Sequence, residues 1–177
     1  MKIILALLST IILSINIQAQ DFIREYDNKT EKPLLRGELK FDDILDETTC
    51  AWLKNGAKEY EPNVEVVKQL NALLPKYKLK VFIGTWCEDT QQLLPQFYKT
   101  LTASAYDFSA LEMYGVNRNK EALNVEHKMY NISRVPTFIV MDRFREVGRI
   151  TESVNTSIEA DLLEILARDM RNQSAEK

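Results

Sequence analysis

The chain has 177 residues, 45% of them apolar and 28% charged, with a formal charge of −3. That is enough apolar material for one core, and the weak acidic balance gives no basis for binding nucleic acid or an anionic membrane. The sequence carries no P-loop, no Gly-rich dinucleotide turn and no H-E-x-x-H, so nucleotide-dependent and zinc-hydrolase chemistry have no support.

The first nineteen residues differ from the rest. Lys2 is their only charge, Ile3 to Ile15 is nearly all apolar, and Ala19 ends a plausible cleavage site before Gln20. This reads as a secretory signal peptide over 1–19, since a spanning helix needs about 20 apolar residues. The mature protein is expected to be exported, to a bacterial periplasm or beyond the cell, with no stable membrane insertion after cleavage. Disulfides can persist in such a compartment. No cysteine follows the apolar stretch, so a lipoprotein anchor is not expected.

Residues 20–40 are polar and mixed in charge, with Pro33 and Gly37, and are expected to form a flexible lead-in. Residues 41–177 are expected to form a single domain with an N-terminal helical extension. Phe41 to Tyr60 has helical spacing at Ile44, Thr48, Trp52 and Leu53, and carries Cys50; Gly56 weakens it. Val64 to Leu74 predicts a second helix, stopped by Pro75. Val81, Phe82 and Ile83 form an apolar run that suits a strand buried on both faces. Gly84 and Thr85 break it, and Asp89 or Thr90 can cap the following helix, with Leu93, Leu94 and Phe97 on its apolar side. Ala110 to Val116 predicts a strand, Glu121 to Tyr130 a short helix, Thr137 to Met141 a core strand, and Glu146 to Ile150 its antiparallel edge partner. Thr156-Ser157-Ile158-Glu159 reads as a capping box opening a last helix, buried through Ile158, Leu162, Ile165, Leu166 and Met170.

Cys87 stands just ahead of a helix N-terminus, where unpaired N–H groups favour an ionised sulfur. Glu88 and Asp89 oppose that by like-charge repulsion. Trp86-Cys87-Glu88-Asp89-Thr90, Pro95 and Val135-Pro136-Thr137 together resemble the thioredoxin family over about residues 60 to 172. That family carries W-C-x-x-C, a proline five residues on, and a distant cis-proline before a threonine. Thr90 stands where the second cysteine belongs. In this the chain looks like single-cysteine thioredoxin-like proteins with W-C-x-D-S/T, exported by bacteria of Bacteroidetes type.

The resemblance implies a three-layer α/β/α sandwich around a mixed sheet of about four strands, in the order β-α-β-α-β-β-α. It implies that Cys87 is the nucleophile and that Pro136 is cis, which would turn the Val135 backbone toward Cys87 and let an extended peptide pair there. Trp86, Val135, Pro136 and Thr137 are the expected substrate-binding residues. Thr90 either donates a hydrogen bond to the Cys87 thiolate or only caps the helix; it cannot resolve a mixed disulfide. Release then falls to an external thiol reductant or to Cys50, whose plainer reading is a buried core cysteine. Val81, six residues before Cys87, replaces the buried carboxylate that thioredoxins use as general base.

Two functions follow as expectations. One is monothiol exchange with protein or peptide disulfides; the other is a redox-inactive module that keeps the peptide groove. No cofactor and no metal are expected, since His127 has no second histidine to pair with. The N-x-S/T triplets at Asn28, Asn131 and Asn155 carry no meaning in a bacterial host.

Overall fold

The buried run Val81-Phe82-Ile83 lies at the centre of a six-stranded mixed sheet, within β3. The computed structural model describes residues 21–175, so the expected leader over 1–19 lies outside the described residues. The strands are β1 (Phe22–Asp27), β2 (Lys32–Leu39), β3 (Lys78–Ile83), β4 (Leu111–Gly115), β5 (Thr137–Asp142) and β6 (Arg145–Thr151), in the spatial order β1-β2-β4-β3-β5-β6. Only β3 and β4 run parallel; every other neighbouring pair is antiparallel. Val81 sits opposite Met113 and Phe138, and Phe82 opposite Tyr114 and Thr137.

Strand alternation divides the apolar residues between two cores. Val81, Ile83, Met113, Phe138 and Val140 face the larger one, where helices α1 (Phe41–Leu45), α2 (Ala51–Glu59), α3 (Val64–Leu73), α4 (Glu88–Ala103) and α6 (Ile158–Ala175) all contribute. Phe82, Tyr114, Ile139 and Met141 face the smaller one, closed by Val116, Ala122, Ile132 and Val135 from the connection between β4 and β5. That connection holds a single four-residue helix, α5 (Glu126–Met129). The helical layers are therefore very unequal.

Several expectations are corrected. The sheet has six strands, not about four. The added pair is β1 and β2, so residues 22–39 are an ordered hairpin rather than a flexible lead-in. β2 fastens it to β4 through Gly37, Glu38 and Leu39, and buries Leu34, Leu35 and Leu39. The expected helix from Phe41 to Tyr60 is two helices separated by a 3-10 turn at Thr48–Cys50. Gly56 does more than weaken α2. A Cβ there would meet the Pro95 ring at 2.8 Å, so the bare backbone lets α2 and α4 pack in close contact.

The last helix is not opened by a capping box at Thr156. Ser157 Oγ accepts from Ala160 N, and Asp161 is the carboxylate that turns back, accepting from the backbone of Asn155 and Thr156. Glu159 is buried and points away, accepting from Tyr60 Oη at 2.6 Å and Asn63 N at 3.1 Å. It thus ties α6 to the α2–α3 junction.

Candidate functional site

The turn between β3 and α4 is fixed from four directions. Gly84 N donates to Thr90 Oγ1 at 3.3 Å, and Cys87 N donates to Gly84 O at 2.8 Å. Gln91 Nε2 donates to Thr85 O at 2.9 Å, and Leu35 N, from the N-terminal hairpin, donates to Thr85 Oγ1 at 3.2 Å. These bonds hold Cys87 as the N-cap of the sixteen-residue α4, with extended backbone at φ −95° and ψ 127°. Its side chain makes no capping bond, which leaves the sulfur free to point elsewhere.

It points across to the connection before β5. The Cys87 thiol donates to Val135 O at 3.3 Å, and the Val135–Pro136 peptide bond is cis. Cys87 is half-buried, whereas Val135 and Pro136 are buried. Thr137 is buried too, and its hydroxyl donates to Arg134 O at 2.8 Å. Thr137 thus braces the loop that presents Val135 rather than offering a group to solvent.

Thr90, the expected partner of the sulfur, is fully buried, with its oxygen committed to the Gly84 N–H. It makes no hydrogen bond to Cys87. Cys50 is also buried, 3% exposed, and lines a cavity of about 260 Å³ with Trp52, Thr85, Trp86, Glu88 and Gln91. Residues on both flanks of Cys87 line that cavity, but Cys87 itself does not. Burial pushes the Cys50 thiol up to about 11, so it is no nucleophile at neutral pH. Both cysteines are free.

Trp86 packs on Gly84, where a Cβ would meet the indole at 2.7 Å, and its Nε1 donates to Val116 O at 3.0 Å. The Arg118 guanidinium covers the ring at 4.7 Å from its centroid, and Lys120 Nζ lies 5.8 Å from it. Arg118 is clamped in turn by Asp27 at the end of β1, through Nε–Oδ1 at 2.7 Å and Nη2–Oδ2 at 2.8 Å. Asp27 is 4% exposed. The Arg118 bond holds its carboxyl well below the usual carboxylate range against the opposing effect of burial, helped by Thr30 and Lys29 N. Neither Asp27 nor Arg118 is recognisable as a site residue from sequence. They lie 91 positions apart, one in the expected lead-in and the other between the strand expected over Ala110 to Val116 and the helix expected from Glu121.

His127 braces the same connection, its Nδ1 accepting from Ala122 N at 3.2 Å. Among the described residues no group of three or more His, Cys, Asp or Glu side chains is placed to hold a metal ion. No helix among them is long and apolar enough to cross a membrane.

No protein-family model and no curated protein sequence matches the chain. Solved structures do resemble it. A protein of unknown function from Pseudomonas aeruginosa matches 72% of this chain and 78% of its own at 15% identity, with a TM-score of 0.48. Mitochondrial thioredoxin 3 from Saccharomyces cerevisiae matches 64% of this chain and 98% of its own at 14% identity, with a TM-score of 0.37. An HIV epitope scaffold matches 72% of this chain and 92% of its own at 15% identity, with a TM-score of 0.53, and its likeness speaks for a shared fold alone.

Proposed function

We propose that the chain is an exported thioredoxin-like protein that exchanges thiols with protein or peptide disulfides through Cys87 alone. One observation carries this reading. Cys87, half-buried, is the N-cap residue of a long helix and its sulfur lies 3.3 Å from the Val135 carbonyl oxygen, while the position of a second active-site cysteine holds a buried threonine. The Cys87 thiolate attacks one sulfur of a substrate disulfide, the substrate S–S bond breaks, and the other half leaves as a thiolate. The product is a mixed disulfide on Cys87. Thr90 has no sulfur to continue with, so an external thiol attacks the mixed disulfide, freeing one partner and taking up the other in a new disulfide. The apolar leader read over 1–19 is the basis for export.

A second reading has its own support. Thr90 spends its oxygen on the Gly84 N–H, and Cys50 is buried and not bonded to Cys87, so no accessible second thiol of the chain is at hand for internal release. A module that binds extended peptides beside Val135 without turnover fits those facts. Incubating the protein with a peptide disulfide separates the two. Exchange requires a mixed disulfide that Cys87→Ser lacks; the module requires peptide binding that Cys87→Ser keeps, with no covalent product.

A further inference from the structure

Two cationic side chains flank Trp86 from the connection between β4 and β5, and they are placed by parts of the chain that the thiol chemistry does not itself require. Arg118 and Lys120 lie within 5.8 Å of the ring centroid of Trp86, the residue directly before Cys87. A cation stacked on indole is held in place by the ring's negative face. Asp27 takes Arg118 Nε and Nη2, which fixes the plane of the guanidinium and leaves Nη1 bonded to nothing among the described residues.

Lys120 is presented by a tight turn. Asn119 N and Glu121 N donate to Asn117 Oδ1, Lys120 N donates to Asn117 O, and Lys120 itself has φ 65°. The nearest carboxylate in sequence, Glu121, is engaged by Asn117 Nδ2 and by Arg36. Lys120 forms no ion pair among the described residues. The bond to Asp27 raises the Arg118 pKa, so the guanidinium stays charged where it lies over the Trp86 ring. The carboxylates next to Cys87 in sequence, Glu88 and Asp89, are exposed in the first turn of α4.

We propose that Arg118 and Lys120, held over the Trp86 ring, form a cationic subsite that selects disulfide partners carrying a carboxylate close to the reacting sulfur. This rests on the thiol-exchange reading and adds a substrate class to it. The N-terminal hairpin becomes part of the specificity apparatus, because Asp27 is what aims Arg118.

The test uses three symmetric disulfides: dithiobis(nitrobenzoate), a dianion; dithiodipyridine, uncharged; and cystamine, a dication. In each reaction Cys87 forms a mixed disulfide, the reagent's S–S bond breaks, and half of the reagent leaves as a thiol or thiolate. Every rate is divided by that of an unstructured cysteine peptide, which removes the intrinsic reactivity of the reagent. The normalised rate for the dianion should exceed that for the dication by about 10-fold at low ionic strength, and most of the preference should vanish near 1 M salt, where the Debye length is about 3 Å. Lys120→Glu should lower the dianion-to-neutral ratio by about 10-fold and Lys120→Gln by about 3-fold, in the order of the charge removed. Lys120 lies outside both cores, so these variants are expected to fold even if Arg118 variants, which strip Asp27 of its partner, do not. A normalised preference that is absent, or that survives Lys120→Glu unchanged, overturns the subsite while leaving thiol exchange standing. Failure of Cys87 to react with even the uncharged reagent overturns thiol exchange, and the subsite with it.

Discussion

The Cys87 sulfur and the Val135 carbonyl oxygen are 3.3 Å apart, across the gap between the start of α4 and the loop entering β5. Cys50, the other thiol of the chain, is buried and lines a cavity with Trp86 and Glu88 that Cys87 does not line. The two thiols therefore differ in access, Cys87 being half-buried and Cys50 buried. Native alkylation near neutral pH should modify Cys87 first and Cys50 at least about 100-fold more slowly, because only the thiolate reacts. Burial raises the Cys50 pKa to about 11, so its labelling stays slow until the pH approaches that value. Peptide mapping of alkylated protein across a pH series measures this.

Thr90 holds a structural bond at the place where a second thiol would act. Thr90→Val removes the acceptor for Gly84 N–H and should cost about 1 kcal/mol in urea unfolding, with Cys87 still alkylated. Thr90→Cys should instead supply a resolving thiol and raise insulin reduction well above the level of the unaltered protein. Strong insulin reduction by the unaltered protein, undiminished in Cys50→Ala, contradicts the single-thiol account.

Gly84 gives Trp86 the space to lie flat against the end of β3. Gly84→Ala puts a methyl group 2.7 Å from the indole, which must move and strain its bond to Val116 O. Overpacking of this kind costs about 1–3 kcal/mol. The expected signs are a lower unfolding midpoint and a change in tryptophan emission.

The Asp27–Arg118 pair makes stability depend on acid. The folded-state pKa of Asp27 lies well below the value of about 3.9 for a free aspartate. Its contribution is complete above the unfolded value and is lost as the pH falls below about 4 toward the folded one. Asp27→Asn should lower stability at neutral pH by about 2 kcal/mol, below the range for fully buried pairs because the Arg118 side chain is 31% exposed. The variant should also show a flatter loss of stability in acid. Urea unfolding at a series of pH values measures both effects.

The parts legible in sequence are those whose pattern is local. The apolar run at Val81 to Ile83 announces β3, and helical spacing announces α3 and α6. The position of Cys87 before α4 follows from the same reading. The hairpin of β1 and β2 is not legible in the sequence because β1 is the edge strand and only Gly37, Glu38 and Leu39 of β2 pair with β4. Arg24, Lys32 and Glu38 are exposed, Pro33 needs no ladder donor, and Gly37 sits at φ 122° against the Asp21 backbone. Glu159 departs from the expected capping box for a related reason: its partners, Tyr60 and Asn63, are nearly a hundred positions away. The Asp27–Arg118–Trp86 stack is likewise a product of sheet order, since β2 must pair with β4 before Asp27 can meet Arg118.

The most direct test of single-thiol exchange is intact-mass and peptide-map analysis of the reduced protein after incubation with a peptide disulfide, before and after addition of a small external thiol. The account predicts one peptide adduct, on Cys87, that persists until the external thiol releases it. An adduct on Cys50, or spontaneous release with formation of a Cys50–Cys87 disulfide, would contradict it.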